Sequence, residues 1–70
     1  MAGEQEQYFV NLVNEHQGLI HKVCNLYESD RDARNDLFQE IVLQLWKSFH
    51  TFRGDAKITT WMYRIALNTA

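Results

Sequence analysis

The sequence predicts an all-α domain, a small bundle of three helices, and three observations carry that prediction. Its 70 residues contain no proline and only three glycines, Gly3, Gly18 and Gly54. Such a composition suits long helices with few turns. Apolar residues make up 46% of the chain and charged residues 23%, too hydrophobic and too weakly charged for a disordered segment. Apolar residues also recur at three- and four-residue spacing through three stretches, the period of a helix buried on one face. A chain this short forms one domain, residues 1–70, and buries only about 60% of the surface its unfolded form exposes, so its core is small.

The first helix is expected over about 4–27. Phe9, Leu12, His16, Leu19 or Ile20, Val23 and Leu26 or Tyr27 line one face. Gly18 weakens this helix by roughly 1 kcal/mol relative to alanine and marks either a close helix crossing or a bend. The polar break Glu28-Ser29-Asp30-Arg31-Asp32 follows. Ser29 or Asp30 can cap the next helix, with acidic residues favoured in its first turn. The second helix is expected over about 31–49, with the stripe Ala33, Leu37, Ile41, Leu45 beside a second stripe Phe38, Val42, Trp46, Phe49. So wide an apolar surface is buried on two sides, as in the central helix of a bundle. Residues 50–58 lose the helical period and contain Gly54, so they read as a loop. Thr59 is the expected N-cap of a third helix over about 59–70, with Ile58 and Tyr63 as a hydrophobic staple. The chain stops at Ala70 with no glycine or basic closing turn. The third helix is therefore read as truncated at the C-terminus, and the chain as a fragment of a longer protein.

Cys24 is the only cysteine, so no internal disulfide can staple this small domain, and a reducing, cytoplasmic setting is expected. The first residues are polar and acidic, unlike a signal peptide, and no apolar run approaches a membrane span. His21 and Cys24 share a helix face, but His16 points elsewhere and no further ligand completes a tetrahedral set. No metal and no cofactor are expected. Asp36 and Glu40 lie one turn apart, yet no pocket, nucleophile motif or glycine-rich phosphate loop accompanies them. The chain is not expected to be an enzyme.

Charge is divided unevenly. Residues 1–46 carry three basic against eight acidic side chains, a net −5, and residues 47–70 carry four basic against one acidic, a net +3. The split suggests two different partners, although solvated charges can sort this way by chance. Two stretches sharpen the first reading. In Asp36-Leu37-Phe38-Gln39-Glu40, Leu37 and Phe38 fall inward, while Asp36, Gln39 and Glu40 make an outward acceptor-rich patch at i, i+3, i+4. Such a patch suits a basic protein surface; an ordinary solvated helix face has the same spacing. From Phe49 to Asn68, aromatic residues alternate with basic and hydrogen-bonding ones. Rings can stack on unpaired bases at roughly 1–3 kcal/mol each while Lys and Arg neutralise phosphates. Phe49, Trp61 and Ile65 can equally be core, and Trp61 is read as at least half-packed.

Asp36-Leu37-Phe38-Gln39-Glu40, then Phe52-Arg53-Gly54-Asp55, then Thr60 to Asn68, in this order and spacing, resemble region 2 of the extracytoplasmic-function (ECF) sigma factors of the sigma-70 family. The resemblance covers about residues 8–70. It implies a module that binds core RNA polymerase and melts promoter DNA at the −10 element. Asp36, Leu37, Gln39 and Glu40 would meet the clamp helices of the β′ subunit, with Phe38 in place of the usual small aliphatic residue. Phe52, Arg53, Lys57, Ile58, Thr59, Thr60, Trp61, Tyr63, Arg64 and Asn68 would meet the non-template single strand. In that assignment Phe52 is the stacking or wedge residue, Ala56 to Thr59 set the base preference, and Asn68 lines the flipped-base pocket. Met62 stands where primary sigma factors carry a second tryptophan. The resemblance also implies an anti-sigma factor as partner, and a second domain reading the −35 element to which nothing here corresponds. Exposed helix faces could let the fragment self-associate. The runner-up reading is a helical adaptor that binds polymerase without reading DNA. A helix-turn-helix reader of duplex DNA comes third, weakened by the long break before the third helix.

Overall fold

The computed structural model describes residues 2–54 and 56–70, and for Ala2 the backbone alone. Asp55, the last residue of the Phe52-Arg53-Gly54-Asp55 motif, lies outside the described residues. The chain forms four helices, α1 (Ala2–Glu15), α2 (Gln17–Tyr27), α3 (Arg31–Phe49) and α4 (Ile58–Thr69). The fold is all-α, as the apolar periodicity predicts.

The expected first helix, 4–27, is two helices. The break is a single residue, His16, at φ −116° and ψ 19°. Its N–H is shared between the carbonyls of Leu12 and Val13, both at 3.2 Å, and its own carbonyl accepts from the Leu19 N–H at 3.1 Å. The backbone ladder is therefore bridged across the bend rather than lost, which keeps the bend inexpensive. No atom lies within 4 Å of a Cβ built on Gly18, so that glycine marks no close helix crossing. The bend falls two residues before it.

Asp30 caps α3, its Oδ2 accepting from the Ala33 N–H at 3.0 Å. Arg34 closes the same turn by donating from Nη1 to the Ser29 carbonyl at 2.7 Å. At the other end of α3, Thr51 donates to the Ser48 carbonyl through both its Oγ1 (2.6 Å) and its N–H (3.0 Å). The Phe52 N–H bonds the Phe49 carbonyl at 3.1 Å. These bonds satisfy carbonyls that the helix end leaves unpaired. Gly54 then turns the chain at φ +79°, a left-handed conformation that costs glycine little.

α4 begins one residue earlier than Thr59. Its N-cap is Lys57, with no side-chain capping bond, and the Trp61 N–H bonds the Lys57 carbonyl at 3.1 Å. Thr59 therefore lies inside the first turn. The residues flanking that turn in staple positions are Ala56 and Trp61, not Ile58 and Tyr63, since Tyr63 is exposed and Ile58 packs on the core.

The core is built from three helices around α3. Ile20, Val23 and Cys24 of α2, Ile41 and Leu45 of α3, and Met62 and Ala66 of α4 are fully buried. Phe9, Leu12 and Val13 of α1 extend it. α3 packs on all three other helices and α2 also packs on α4, whereas α1 has no packing contact with α4 among the described residues. Trp46 departs from the expected inward stripe. Its ring meets Phe9 at 4.9 Å, but the residue remains 41% exposed because α1 covers only part of that side of α3.

Candidate functional site

Two surfaces emerge, one on α3 and one spanning the loop and α4. On α3, Asp36, Gln39 and Glu40 are exposed, while Leu37 and Phe38 are half-buried and pack against the core. Phe38 is accommodated by stacking on His21 of α2, with centroids 4.5 Å apart and planes 27° apart. Glu40 Oε1 accepts from Gln44 Nε2 at 3.0 Å. Beside Gln39 runs a groove between α1 and α3, of about 340 Å³, lined by Glu6, Phe9, Val10, Gln39, Val42, Leu43 and Trp46. Val10 and Leu43 are each 43% exposed. The sequence reading missed both. Leu43 carried a legible signal, an apolar residue outside both stripes of its helix.

On the second surface, Phe52 is half-buried and its ring lies 5.0 Å from that of Trp61, tilted by 45°. Thr51, Phe52, Arg53, Ala56, Trp61 and Arg64 line a cleft of about 170 Å³. Arg53 and Arg64 are exposed in its lining, Lys57, Thr60 and Tyr63 are exposed but do not line it, and Ile58 and Thr59 are half-buried. Asn68 is exposed, but it lines a different cleft of about 440 Å³, with Glu40, Gln44, Ser48, Ile65 and Thr69. Phe52 and Asn68 are therefore not brought into one cleft. Met62 is fully buried beneath the α4 surface.

The family described as Sigma-70 region 2 matches residues 12–70. The chain belongs to this family. Among its curated relatives, the ECF RNA polymerase sigma-E factor of Haemophilus influenzae is 37% identical over 59 residues, covering 84% of this chain and 31% of the relative. The RNA polymerase sigma-H factor of Pseudomonas aeruginosa is 38% identical over 53 residues, 71% of this chain and 28% of the relative. The ECF RNA polymerase sigma-E factor of Escherichia coli K12 is 34% identical over 68 residues, 97% of this chain and 35% of the relative. The chain thus spans about a third of the length of these curated relatives. No solved structure matches it. The region 2 match begins inside α1, so Ala2 to Asn11 lie before it and α2, α3 and α4 lie wholly within it.

In this sigma region 2 domain the two surfaces have opposite chemistry. The α3 patch offers carboxylate and amide acceptors beside an apolar groove. The loop and α4 offer guanidinium and ammonium groups beside rings. Among the described residues no three His, Cys, Asp or Glu side chains come together as a metal site. Cys24 is buried in the core, and loss of solvation pushes its thiol pKa up, which keeps it in the unreactive protonated form. No helix among the described residues is long and apolar enough to cross a membrane.

Proposed function

We propose that this region 2 domain docks on the β′ clamp helices of core RNA polymerase through α3 and engages the −10 element, as unpaired non-template strand, through the loop and α4. The observation that carries the reading is the segregation of the two chemistries on one small fold. Asp36, Gln39 and Glu40 present acceptors to a basic partner, where paired guanidinium–carboxylate contacts supply geometry. Val10, Leu43 and Trp46 extend that patch with apolar area. Arg53 and Arg64 line the cleft holding Phe52 and Trp61, and Lys57 is exposed at the start of α4, an arrangement in which phosphates are neutralised while a base stacks. Thr60 and Tyr63 flank the strand's path on the exposed side of α4, Ile58 and Thr59 shape the loop's exit, and Asn68 contacts the strand from the cleft it shares with Glu40, where the two surfaces meet.

Opening a duplex costs a few kcal/mol for each base taken out of the stack. A domain with net charge −2 cannot offset this alone, because nonspecific binding to phosphates scales with the cations it supplies. The acidic docking surface resolves the difficulty, since polymerase holds the domain on the DNA and adds the missing contacts. A specific observation favours the adaptor reading as the second choice. Phe52 is already packed on Trp61 and Met62 is buried, so neither stands free as a wedge.

The two readings separate in one selection. Core polymerase with this chain is exposed to a randomised single-stranded oligonucleotide pool, using the native sequence and Phe52→Ala/Arg53→Ala. The proposal expects the native assembly to enrich sequences that polymerase alone does not, and the double variant to lose them. A native assembly that enriches nothing beyond what polymerase alone enriches would leave the adaptor reading standing.

A further inference from the structure

Aromatic rings run unbroken from α1 to the loop. Tyr8 stacks on Phe49 at 5.8 Å and Phe9 meets the same ring edge-on at 5.3 Å. Trp46 stacks beside it at 6.3 Å, with planes 17° apart. On its other side Phe49 reaches Trp61 of α4 at 6.3 Å, and Trp61 holds Phe52 at 5.0 Å. Phe49 is therefore the hub that joins α1 to α4, two helices without packing contact of their own. It is also the last residue of α3, and its carbonyl accepts from the Phe52 N–H at 3.1 Å. Phe52 is thus tied to Phe49 twice, through the backbone and through the Trp61 ring.

We propose that Phe49 is the positioning residue of the nucleic-acid loop. Gripped by Tyr8 and Phe9, it sets the pose of the Trp61–Phe52 pair, so that α1 contributes to single-strand binding at a place it never touches. The inference rests on the reading of the loop as a single-strand site. Tilted and edge-on ring contacts are directional, and Phe and Trp have few rotamers, so fixing one ring restricts the next. A branched aliphatic side chain at position 49 can fill volume but cannot fix ring angles. Phe49 is only half-buried, unlike Ile41 and Leu45, which are fully buried in the core.

The test compares the native chain with Phe49→Leu, Phe49→Tyr, Tyr8→Ala and the core control Leu45→Val by NMR. The readouts are the nuclear Overhauser contacts between the Phe52 and Trp61 rings, and affinity for a short single-stranded oligothymidine. Phe49→Leu is expected to lose the ring contacts and to weaken binding about threefold or more, a fraction of one base's stacking. Phe49→Tyr restores both. Leu45→Val lowers the melting temperature and leaves both readouts native. Tyr8 is 63% exposed, so Tyr8→Ala folds whatever happens to Phe49→Leu, and it is expected to shift the ring contacts in the same direction. Native ring contacts in folded Phe49→Leu, or in Tyr8→Ala should Phe49→Leu not fold, overturn the positioning role. If the native chain does not bind oligothymidine, the single-strand reading falls, and the ring contacts still decide the positioning role.

Discussion

Cys24 and two glycines show how single positions behave in this fold. Burial raises the Cys24 thiol pKa above its ordinary value near 9.0. The unfolded thiol then ionises first as pH rises, so above about pH 9 the unfolded state holds fewer protons than the folded one and folding stability falls with pH. The same burial should make Cys24 react slowly with iodoacetamide in buffer and rapidly in urea; equal rates would contradict its place in the core. Gly18 and Gly54 both face open space, yet substitution should act in opposite directions. Gly18 is helical, so Gly18→Ala should stabilise by up to about 1 kcal/mol. Gly54 sits at φ +79°, so Gly54→Ala should destabilise by about 1–2 kcal/mol. Thermal unfolding of the two variants checks both signs. The turn at Gly54 was legible because glycine sat where the helical period failed. The exposure of Trp46 was not, because a stripe shows which side of a helix is apolar and not how far a neighbouring helix covers it.

At the scale of elements, α3 is the most legible helix. Its paired stripes identify it as central, and Ser29 or Asp30 was expected to begin it. The structure selects Asp30, whose carboxylate accepts from the Ala33 N–H. Asp30→Ala should cost about 1 kcal/mol in urea unfolding and Asp30→Asn much less, since Asn caps comparably. An equal loss for both would assign the effect to charge rather than to capping. The division of α1 from α2 was not legible. Val13 and Ile20 keep the apolar stripe in phase through His16, so periodicity runs across the bend without a break. The start of α4 was misplaced for a related reason. Thr59 has capping chemistry, but packing of the half-buried Ile58 on the core moves the cap two residues earlier, to Lys57, which offers no capping acceptor. Among the candidate site residues, the outward set Asp36, Gln39 and Glu40 could be read from helical spacing alone. The separation of Asn68 from Phe52 could not, because it depends on how α4 crosses α3.

The whole molecule joins an acidic, partly apolar surface on α3 to a basic, aromatic one on the loop and α4. Chain-wide net charge conceals this division, while the distribution of charge along the sequence exposes it. If Arg53, Lys57 and Arg64 are the phosphate contacts, single-strand affinity should fall with added salt with a logarithmic slope of about −2. A slope near zero would remove them from the interface. Docking on polymerase is the central claim, because the DNA role depends on it. Its most direct measurement is binding of the chain to the isolated β′ clamp-helix fragment, comparing the native sequence with Asp36→Ala/Gln39→Ala/Glu40→Ala. All three side chains are exposed, so the triple variant should fold as the native chain does. The account predicts binding by the native chain and at least about a tenfold loss in the variant, in line with charge-assisted contacts. A folded native chain that does not bind, or a triple variant that binds equally well, would contradict it.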